Sequence, residues 1–318
     1  MKNAPKLIIV VPCFNEEDVL HETSKRLLIK LSDLTDKNAI NANSSIIFVD
    51  DGSSDKTWDI IKDLHKSNKM FCGLQLSKNQ GHQNALLAGL LEAKDSSDCV
   101  ISMDADLQDD INAIDQFVEK FNEGYDVVYG IRKSRKKDTF FKKQTALLFY
   151  RLMMALGVKL KYNHADYRLL SKRALDALAD FSEVNLFLRG LIPLVGFSST
   201  EVFYDRNDRF AGESKYPIRK MLAFAWQGIT SFSVVPLQLV TTVGFLISFL
   251  TVAAMVYILL SKIFGNAVTG WSSLLVSIWF LGGIQLIAIG ILGEYIGKIY
   301  KETKRRPKFI IKDIIKND

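Results

Sequence analysis

Residues 99–106 read CVISMDAD, an apolar run that ends in two carboxylates one residue apart. Short continuous apolar runs of this kind are typical of strands buried on both faces of a sheet. Because Asp104 and Asp106 follow the run directly, we expect them at the carboxyl end of a buried strand. Two such oxygen donors suit Mg²⁺ or Mn²⁺, which take a few carboxylates and complete their shell with water and phosphate. A solvated acidic turn is the alternative when these two residues are taken alone.

Strands and helices alternate on both sides of this run, from residue 6 to about residue 130. Short β-branched runs predict strands at 6–11, 45–49, 71–76, 99–103 and 126–129. Amphipathic patterns between them predict helices at 16–34, 54–65, 82–93 and 111–121. This strict alternation predicts an α/β fold, in which a mainly parallel sheet carries helices on both faces.

Polar residues follow each of the first four predicted strands, at 15–17, 50–53, 79–82 and 104–106. In sheets of this class, ligands bind beyond the carboxyl ends of the strands. Each group also has a simpler explanation, since Asn15 or Ser54 can cap a helix and Asp51-Gly52 can turn the chain. Four groups at one edge indicate a binding site. No glycine-rich dinucleotide or P-loop motif occurs, so we expect a metal ion to meet the phosphates of a ligand.

The last third of the chain is apolar enough to cross a membrane twice. No charged residue occurs at 221–261 or at 263–293, and a span needs about 20 apolar residues. We predict a two-helix transmembrane hairpin at 236–298, with spans near 237–260 and 273–293, after an interfacial amphipathic segment at 216–235. Two buried helices of a soluble core are the alternative. Basic residues flank the hairpin while its connection holds only Lys262, so both flanks and both termini are expected in the cytoplasm.

The net charge, the cysteine spacing and the N-terminal apolar run predict that the residues outside the hairpin lie at the inner face of a cell membrane. The net charge of +6 favours an anionic membrane surface, whereas no nucleic-acid-binding motif accompanies it, so no nucleic acid is expected as a partner. Cys13, Cys72 and Cys99 lack the spacing of a disulfide framework or a zinc site and are expected to be reduced. The first apolar run is too short for a signal peptide. We therefore expect a cytosolic catalytic domain at 1–215 and a basic cytosolic tail at 299–318.

Three motifs in order resemble the family 2 glycosyltransferases of GT-A (Rossmann-like) fold. These motifs are VPCFNEE at 11–17, VDDGSSD at 49–55 and MDADLQD at 103–109. Further stretches resemble the polyprenyl-phosphate (bactoprenol) branch, which is similar to dolichyl-phosphate mannose synthases: GIR at 130–132, ADYRLL at 165–170 and RNDRFAGESKY at 206–216. No Arg-Trp dipeptide occurs, so the Gln-x-x-Arg-Trp motif of processive synthases is missing, which argues against polymer extension.

The resemblance implies roles for individual residues. Those implied to bind the donor are Pro12, Asn15, Glu16, Asp50, Asp104, Gln108 and Lys215. Those implied to meet the acceptor phosphate are Arg132, Arg168, Arg206 and Arg209. Asp104 and Asp106 are implied to hold the metal, and the implied catalytic residues are Asp166, Asp106 and Arg168. The loop with Arg206, Arg209 and Lys215 is expected to close over the phosphates.

Two charged stretches keep alternative explanations. The resemblance nominates Asp166 as a general base, yet a phosphomonoester, with a second pKa near 6, is already mostly dianionic at neutral pH. Our hypothesis is that Asp166 mainly orients Arg168 or a phosphate-bound network, and a cap for a helix over 169–178 is the alternative. Residues 133–137 are either functional or a solvated loop, and the apolar residues at 140–153 form either an interfacial or a core helix.

The predicted function is metal-dependent transfer of one sugar from a UDP-sugar to undecaprenyl phosphate for cell-envelope glycosylation, with inversion. Glucose is the preferred sugar, and N-acetylglucosamine and galactose are the alternatives. A catalytically silent membrane protein that binds nucleotide sugar is a second class. A small transporter is a third, for which two uncharged spans make a poor pathway. Expected partners are a second copy of the chain, a flippase and a downstream glycosyltransferase.

The pH dependence of an Asp166→Asn variant separates the two roles proposed for that carboxylate. If Asp166 is a general base, activity lost at pH 6 returns at pH 8.5, where the acceptor is fully ionised. If it orients an arginine, the loss is equal at both pH values, which is the result we expect. Transfer of labelled sugar to lipid phosphate, measured in membranes at each pH, distinguishes these outcomes.

Overall fold

The computed structural model describes residues 4–133, 164–183, 186–206, 229–230, 233–263 and 270–316. They belong to two compact units. The first comprises the described residues up to 206 together with 305–316, and the second comprises the described residues from 229 to 304. The helix predicted within 140–153 and most of the segment predicted at 216–235 lie outside the described residues.

An eight-stranded mixed sheet forms the centre of the first unit, as described. Its strands are β1 (Leu7–Cys13), β2 (Ser45–Asp50), β3 (Phe71–Leu76), β4 (Cys99–Ser102), β5 (Val127–Arg132), β6 (His164–Ser171), β7 (Ser199–Tyr204) and β8 (Ile311–Ile315). Their order across the sheet is β7-β5-β6-β4-β1-β2-β3-β8. Only β6 and β8 run antiparallel to their neighbours among these strands. The predicted α/β fold with a mainly parallel sheet is confirmed.

Six α-helices are described in the first unit. They are α1 (Leu20–Asp36), α2 (Thr57–Ser67), α3 (His82–Ala93), α4 (Ala113–Asn122), α5 (Lys172–Ala179) and α6 (Leu188–Leu194). The predictions for β3 and α3 have the observed bounds, and the other predicted elements differ by at most four residues at either end. The largest difference is at the start of α1, because residues 15–17 bond the loop after β2 and do not begin the helix.

The centre of the sheet explains why the apolar runs are so continuous. All seven residues of β1 are buried, since β4 and β2 pair with it and helices cover its faces. The helix α1 contributes Leu20, Leu27 and Leu31 to the same core. Burial of each such leucine contributes about 1.5–3 kcal/mol. The core therefore fixes β1 and β4, whose carboxyl ends carry the loops of interest.

Three strands were not predicted, and β6 changes the interpretation of Asp166. This strand lies antiparallel between β4 and β5 and contains Asp166. The alternative that Asp166 caps a helix over 169–178 is therefore wrong. The helix α5 begins only at Lys172, where the Ser171 hydroxyl accepts a hydrogen bond from the Ala174 amide at 3.1 Å. Charged or ionisable residues occupy alternate positions in the first half of β6, so the strand lacks the continuous apolar run by which strands β1 to β5 were predicted.

The C-terminal segment, expected as a basic tail at 299–318, contains the strand β8. The strand β8 pairs antiparallel with β3 and extends the sheet. Ile315 packs against the core, whereas Ile311 and Ile314 remain partly exposed. A strand at the edge of a sheet needs only one apolar side chain against the core, so its periodicity is too weak to recognise in the sequence. These last residues therefore belong to the same unit as the polar strand ends.

The second unit contains two long apolar helices, α7 (Val235–Ile263) and α8 (Trp271–Thr303). Segments of both, Val235–Ala253 and Ser277–Thr303, are long and apolar enough to cross a membrane. Large apolar side chains on them face outward: Phe245 is 73% exposed and Trp279 is 78% exposed. Pro236 lies in the first turn of α7, where a missing amide proton costs nothing, so it is compatible with the start of this helix.

The helix α3 lies unusually close to the sheet because residue 89 is glycine. A Cβ atom at this position would lie 2.6 Å from Val49 Cγ2 on β2 and closer still to Val10 Cγ1 on β1. Real Cβ atoms are not found at such distances, so a side chain here would displace α3. That displacement would also move His82, the first residue of the helix.

We expect Gly89→Ala to lower the free energy of unfolding by about 1–3 kcal/mol, because the added methyl group overpacks the contact with both strands. Thermal unfolding of the detergent-solubilised protein measures this. The matched control is Gly283→Ala on α8, where nothing lies within 4 Å of the added atom. Equal midpoints for the two variants would show that the close approach of α3 is not a constraint.

Candidate active site

The loops that follow β1, β2, β3 and β4 meet at one edge of the sheet. The first two are joined because the Asn15 side-chain oxygen accepts a hydrogen bond from the Ser54 amide at 2.9 Å. The second and third are joined through Asp51, whose carboxylate accepts from the Gly81 amide at 2.9 Å. His82, just after the third loop, lies 3.6 Å from Asp104 in the fourth, measured from Nε2 to Oδ1. The site predicted from four separate strand ends is thus assembled by direct contacts.

The first two loops form a rigid pair on one side of this edge. Asn15 has a φ of 55°, a left-handed conformation that asparagine tolerates, and its amide donates to Ser53 Oγ at 3.0 Å. Asp50 is fully buried, and its carboxylate accepts from the Ser53 amide at 3.0 Å and from Gln75 Nε2 at 2.9 Å. Asp50 therefore shapes the loop from inside.

The exposure of the predicted donor-binding residues on β1 and after it varies. Pro12 is buried within β1, Glu16 is half-buried, and Asn15 is exposed. The nucleotide contacts expected of these residues and of Asp50 stay predictions. The side chains of Asn15 and Glu16 are at least partly exposed at this corner, so a ligand can reach them.

Asp104 and Asp106 stand at the end of β4, as predicted. The Asp104 side chain is 35% exposed, whereas Asp106 is buried and accepts a hydrogen bond from the Gln108 amide at 3.2 Å. Burial raises the pKa of Asp104 to about 6, and the carboxylates of Asp109, Asp166 and Asp106 add to the rise against the opposing effect of His82. A cation here would favour the ionised form and reverse that shift.

The acid pair fits a divalent ion that a substrate helps to hold. Among the described residues, no group of three or more His, Cys, Asp or Glu side chains is placed to bind a metal ion. Mg²⁺ needs fewer, because it is commonly held by one or two carboxylates together with substrate phosphates and water. Asp104 and Asp106 supply that number of carboxylates, so the pair fits a divalent ion that substrate phosphates and water help to hold.

Asp166, on β6, lies among three basic side chains. It forms an ion pair with Arg168 on the same strand, and it accepts from Arg189 Nη2 at 2.9 Å and from Arg189 Nε at 3.2 Å. His82 Nε2 lies 3.7 Å from its second oxygen. Burial raises the pKa of the Asp166 carboxyl, but Arg189, His82 and Arg168 outweigh burial and hold the pKa well below its ordinary value. Asp166 is therefore ionised throughout the neutral range.

Arg168 differs in position from what its predicted role requires. Its side chain is 1% exposed, and it lies opposite Ser102 on β4 and Tyr129 on β5. Its Nε and Nη1 atoms have no hydrogen-bond partner in the described part of the chain. A side chain this deeply buried presents no surface to a phosphate, so the structure corrects the expected direct contact. Arg168 supports Asp166 from within the sheet.

A second polar cluster joins β5 and β7 to the loop after β4. The Tyr204 hydroxyl donates to Asp109 Oδ1 at 2.7 Å, and Arg132 Nε donates to the Tyr204 hydroxyl at 3.4 Å. Burial raises the pKa of the Asp109 carboxyl, against the lowering effect of Arg132. Arg206 donates a hydrogen bond to the Gln108 side chain. Arg132 and Arg206 thus border the acid loop, and their contacts with the acceptor phosphate stay predictions.

Some predicted residues meet at this edge, and others lie outside the described residues. Those brought together are Asp104, Asp106, Gln108, Arg132, Asp166 and Arg206. Arg209 and Lys215 are among the residues that the structure does not describe. The residues that the site prediction missed are His82, Asp109, Arg189 and Tyr204. His82 belongs to the polar group predicted at 79–82 and Asp109 to the motif at 103–109, although neither was given a role, whereas no motif marks Arg189 or Tyr204.

Comparison with known proteins assigns this arrangement to a family. Residues 8–179, more than half of the chain, match the family model described as "Glycosyl transferase family 2". The chain belongs to glycosyltransferase family 2. The family match covers β1 to β4 with all four loops of the site, and it ends with α5. The chain is therefore a glycosyltransferase.

Relatives within glycosyltransferase family 2 match nearly the whole chain. The uncharacterized glycosyltransferase YkoT of Bacillus subtilis (strain 168) is 56% identical over 310 residues, which are 98% of this chain and 92% of that protein. The prophage bactoprenol glucosyl transferase homolog of Escherichia coli (strain K12) is 40% identical over 98% of this chain and 100% of its own length.

Solved structures show a more distant likeness. The mannosyltransferase PcManGT from Pyrobaculum calidifontis, solved with GDP-Man and Mn²⁺, is 13% identical with a TM-score of 0.46. The match covers 96% of this chain and 89% of that chain.

Removal of the Asp166 charge tests how much the cluster contributes to stability. We expect Asp166→Asn to lower the free energy of unfolding by about 3 kcal/mol, because it leaves the Arg168 guanidinium buried without a counter-charge. The stabilisation by Asp166 is present above the unfolded-state pKa of about 3.9 and is lost as pH falls through the lower folded-state pKa. The difference between variant and wild type should therefore persist at neutral pH and shrink in acid.

The matched control for this variant is Asp176→Asn. Asp176 also pairs with a basic residue, Lys94, at 3.3 Å, but its side chain is 51% exposed. Such surface pairs contribute about 0.5 kcal/mol. Thermal unfolding of both variants gives the comparison, and equal destabilisation would contradict a special contribution from the buried pair.

Proposed function

We propose that this family 2 glycosyltransferase moves a single glucose from UDP-glucose to a polyprenyl phosphate such as undecaprenyl phosphate. The observation that carries the proposal is the near full-length similarity, at about 40% identity, to proteins named bactoprenol glucosyl transferase. The site supports it, because acids suited to a metal-bound diphosphate stand next to a cluster rich in arginine. One reaction thus accounts for both parts of the site: the acid pair, called here the donor half, and the cluster rich in arginine, called the acceptor half.

The donor half would act on the leaving group. Asp104 and Asp106 would hold Mg²⁺ or Mn²⁺, and the ion, when bound, supplies Lewis-acid stabilisation of the departing diphosphate. Asn15, Glu16 and the loop shaped by Asp50 would take the nucleotide, as the family resemblance implies. The rigid hydrogen bonds between the first two loops keep this pocket preorganised, which lowers the cost of ordering it on binding.

The acceptor half would bind a phosphate and direct one of its oxygens at the sugar. In the proposed step, that oxygen forms a bond to C1 of glucose while the bond from C1 to the UDP oxygen breaks. UDP leaves with the electron pair. A dianionic phosphate needs no proton removed, so positioning matters more than base catalysis. Attack opposite the leaving group gives inversion, and Arg132 and Arg206 are placed to add positive charge beside the acid loop.

The two apolar helices would bring the enzyme to its acceptor. A lipid phosphate stays in the bilayer and a nucleotide sugar stays in water, so the reaction belongs at a membrane surface. The outward-facing apolar side chains of α7 and α8 suit lipid contact. The basic residues at both flanks favour cytoplasmic termini and a cytosolic catalytic domain.

Association with further proteins is also part of the proposal. Gly283, Gly290 and Gly297 lie seven residues apart on α8, and nothing lies within 4 Å of a Cβ atom added at any of them. Small residues repeated on one helix face permit close packing with a second membrane helix, which supports a homo-oligomer. The glucosylated lipid would form on the membrane face where the nucleotide sugar is found. A flippase would then carry it across the membrane, and a downstream glycosyltransferase would use it.

Loss of either carboxylate of the acid pair should abolish transfer. We expect Asp104→Asn and Asp106→Asn each to lower the rate of glucose transfer by about 100-fold, because the diphosphate charge is no longer stabilised. Removal of divalent ions with EDTA should have the same effect, and added Mn²⁺ or Mg²⁺ should restore only the wild type. The measurement is thin-layer analysis of labelled lipid from membranes.

The control is Asp59→Asn, which changes a carboxylate that is 73% exposed on α2 and should leave transfer unchanged. Donor identity is checked in the same assay with UDP-glucose, UDP-N-acetylglucosamine and UDP-galactose. Transfer from UDP-glucose alone is the expected result. Preferential transfer of another sugar would replace glucose as the donor, and full activity of both acid variants would contradict the proposed mechanism.

A further inference from the structure

The acid loop, residues 104–110, has a backbone conformation that must be held by its surroundings. Leu107 has a φ of 57°, in the left-handed region that leucine rarely adopts, and its side chain is buried. Such a conformation persists only where neighbouring contacts fix it. Because Asp104 and Asp106 belong to this loop, the contacts that fix the loop also set the positions of both carboxylates.

Two tyrosines hold the end of the acid loop from neighbouring strands. The Tyr204 hydroxyl, at the end of β7, donates to Asp109 Oδ1 at 2.7 Å. The Tyr167 hydroxyl, on β6, donates to the Asp110 carbonyl oxygen at 3.0 Å. The two rings are buried and pack edge to face, with centroids 5.2 Å apart. Packing of the ring therefore fixes the place of the Tyr204 hydroxyl as well as its hydrogen bond does.

A glycine on β5 makes room for the Tyr204 ring. A Cβ atom at Gly130 would lie 3.0 Å from Tyr204 Cε1 and 2.6 Å from the Tyr167 carbonyl oxygen, and real Cβ atoms do not show the second distance. Two residues further along β5, Arg132 lies opposite Tyr204 in the pairing of β5 with β7. The close packing thus brings Arg132 and the tyrosine hydroxyl to one place.

The Tyr204 hydroxyl joins a cation to an anion. It accepts a hydrogen bond from Arg132 Nε at 3.4 Å while it donates to Asp109, and a hydroxyl can do both at once. Arg132 Nη2 lies 3.5 Å from the same Asp109 oxygen. This is longer than the roughly 2.7–2.9 Å of a direct hydrogen bond between such charged groups. The arginine and the aspartate are therefore linked mainly through the tyrosine.

Arg132 is accessible to a ligand in this arrangement, whereas Asp109 is not. The Arg132 side chain is 26% exposed, while Asp109 is 2% exposed and has one carboxylate oxygen without a partner among the described residues. Without the tyrosine hydroxyl, the buried carboxylate would lose its hydrogen bond at 2.7 Å. A buried charge is costly to leave unpaired, so the guanidinium would be drawn into a direct pair with Asp109 and would be lost to a ligand.

We propose that Tyr204 is a positioning residue that holds Arg132 in place for the phosphate of the acceptor. Its hydroxyl orients the guanidinium on one side and, through Asp109, fixes the acid loop on the other. The assignment rests on the proposed function, which supplies the phosphate that Arg132 would meet. Tyr204 lies beyond residues 8–179, which the family model matches, and no motif marks it.

The test removes the hydroxyl and keeps the ring. Full-length wild type and Tyr204→Phe are assayed in detergent with UDP-glucose, Mn²⁺ and a C20 prenyl phosphate. We expect KM for the prenyl phosphate to rise about 10-fold and kcat to fall about twofold at most, because the lost hydrogen bond positions a charged group that binds substrate. In direct titrations, the preference for the prenyl phosphate over the corresponding prenyl alcohol should fall by the same factor.

A double-mutant cycle shows whether Tyr204 acts through Arg132. Arg132→Gln alone should lower the phosphate preference at least as strongly as Tyr204→Phe. Once the guanidinium is absent, loss of the hydroxyl should have no further effect, so the double variant should resemble Arg132→Gln. Losses that multiply in the double variant would show that the hydroxyl acts elsewhere and would overturn the proposal.

The matched control is Tyr125→Phe. Tyr125 also packs its ring against the core of the first unit, but it lies just before the amino end of β5, so this variant should keep the wild-type KM. Tyr167→Phe removes the other hydroxyl that holds the acid loop, and it should keep the phosphate preference because that hydroxyl bonds the Asp110 backbone. An equal loss in Tyr167→Phe would assign the effect to the loop and contradict a role through Arg132.

Thermal unfolding shows whether each variant is folded. If Tyr204→Phe is not, Arg132→Lys decides the matter. It keeps the charge but has no Nε proton to donate to the Tyr204 hydroxyl, so an intermediate phosphate preference is expected. An unchanged preference in this variant would overturn the proposal.

Three outcomes separate this inference from the proposed function. If the wild type neither prefers the prenyl phosphate nor glucosylates it, the proposed acceptor itself is wrong. If the wild type does both and Tyr204→Phe keeps its KM and its preference, only the role of Tyr204 fails. If Tyr204→Phe weakens UDP binding as much as prenyl phosphate binding, the hydroxyl serves the donor side and the assignment to the acceptor is wrong.

Discussion

The ion cluster around Asp166 is the interaction on which the rest of the site depends. Asp166 contributes from β6, Arg189 from α6 and His82 from the start of α3, so one carboxylate joins three elements far apart in the chain. A buried pair of this kind gains little net stability when complete and costs several kcal/mol when one partner is lost. Its value is therefore geometric: it holds these elements in one arrangement beside the acid pair.

Opposite charges are separated across the edge of the sheet. Burial and the neighbouring carboxylates raise the pKa of Asp104 at the end of β4, and a bound cation would offset both effects. The guanidinium groups of Arg168 and Arg189 lie around Asp166, and His82 lies between this cluster and Asp104. Glycosyl transfer to a phosphate needs both groups of charges, because the leaving diphosphate and the attacking phosphate are anions that must approach one sugar carbon. In a site of lower dielectric than water these local charges act strongly.

The sequence predicted the acid pair and the four loops because each follows an apolar run, and strand ends in a parallel sheet must meet at one edge. It did not predict Arg189 or Tyr204. Both lie in elements without a motif, on α6 and β7, and their importance comes from what they contact. Arg168 shows the reverse case. It belongs to a motif, yet an antiparallel strand places it between β4 and β5, where it is buried.

Local sequence patterns were sufficient to predict the α/β alternation, the buried strands β1 and β4, and two helices long enough for a membrane, because periodicity and apolar length are local properties. The insertion of β6 beside β4, the pairing of β8 at the sheet edge and the different exposure of Arg168 and Arg189 became apparent only in the folded chain. These depend on pairings between residues distant in the chain. The burial of a charged side chain is set by the neighbours that the fold brings to it, and no local pattern records them.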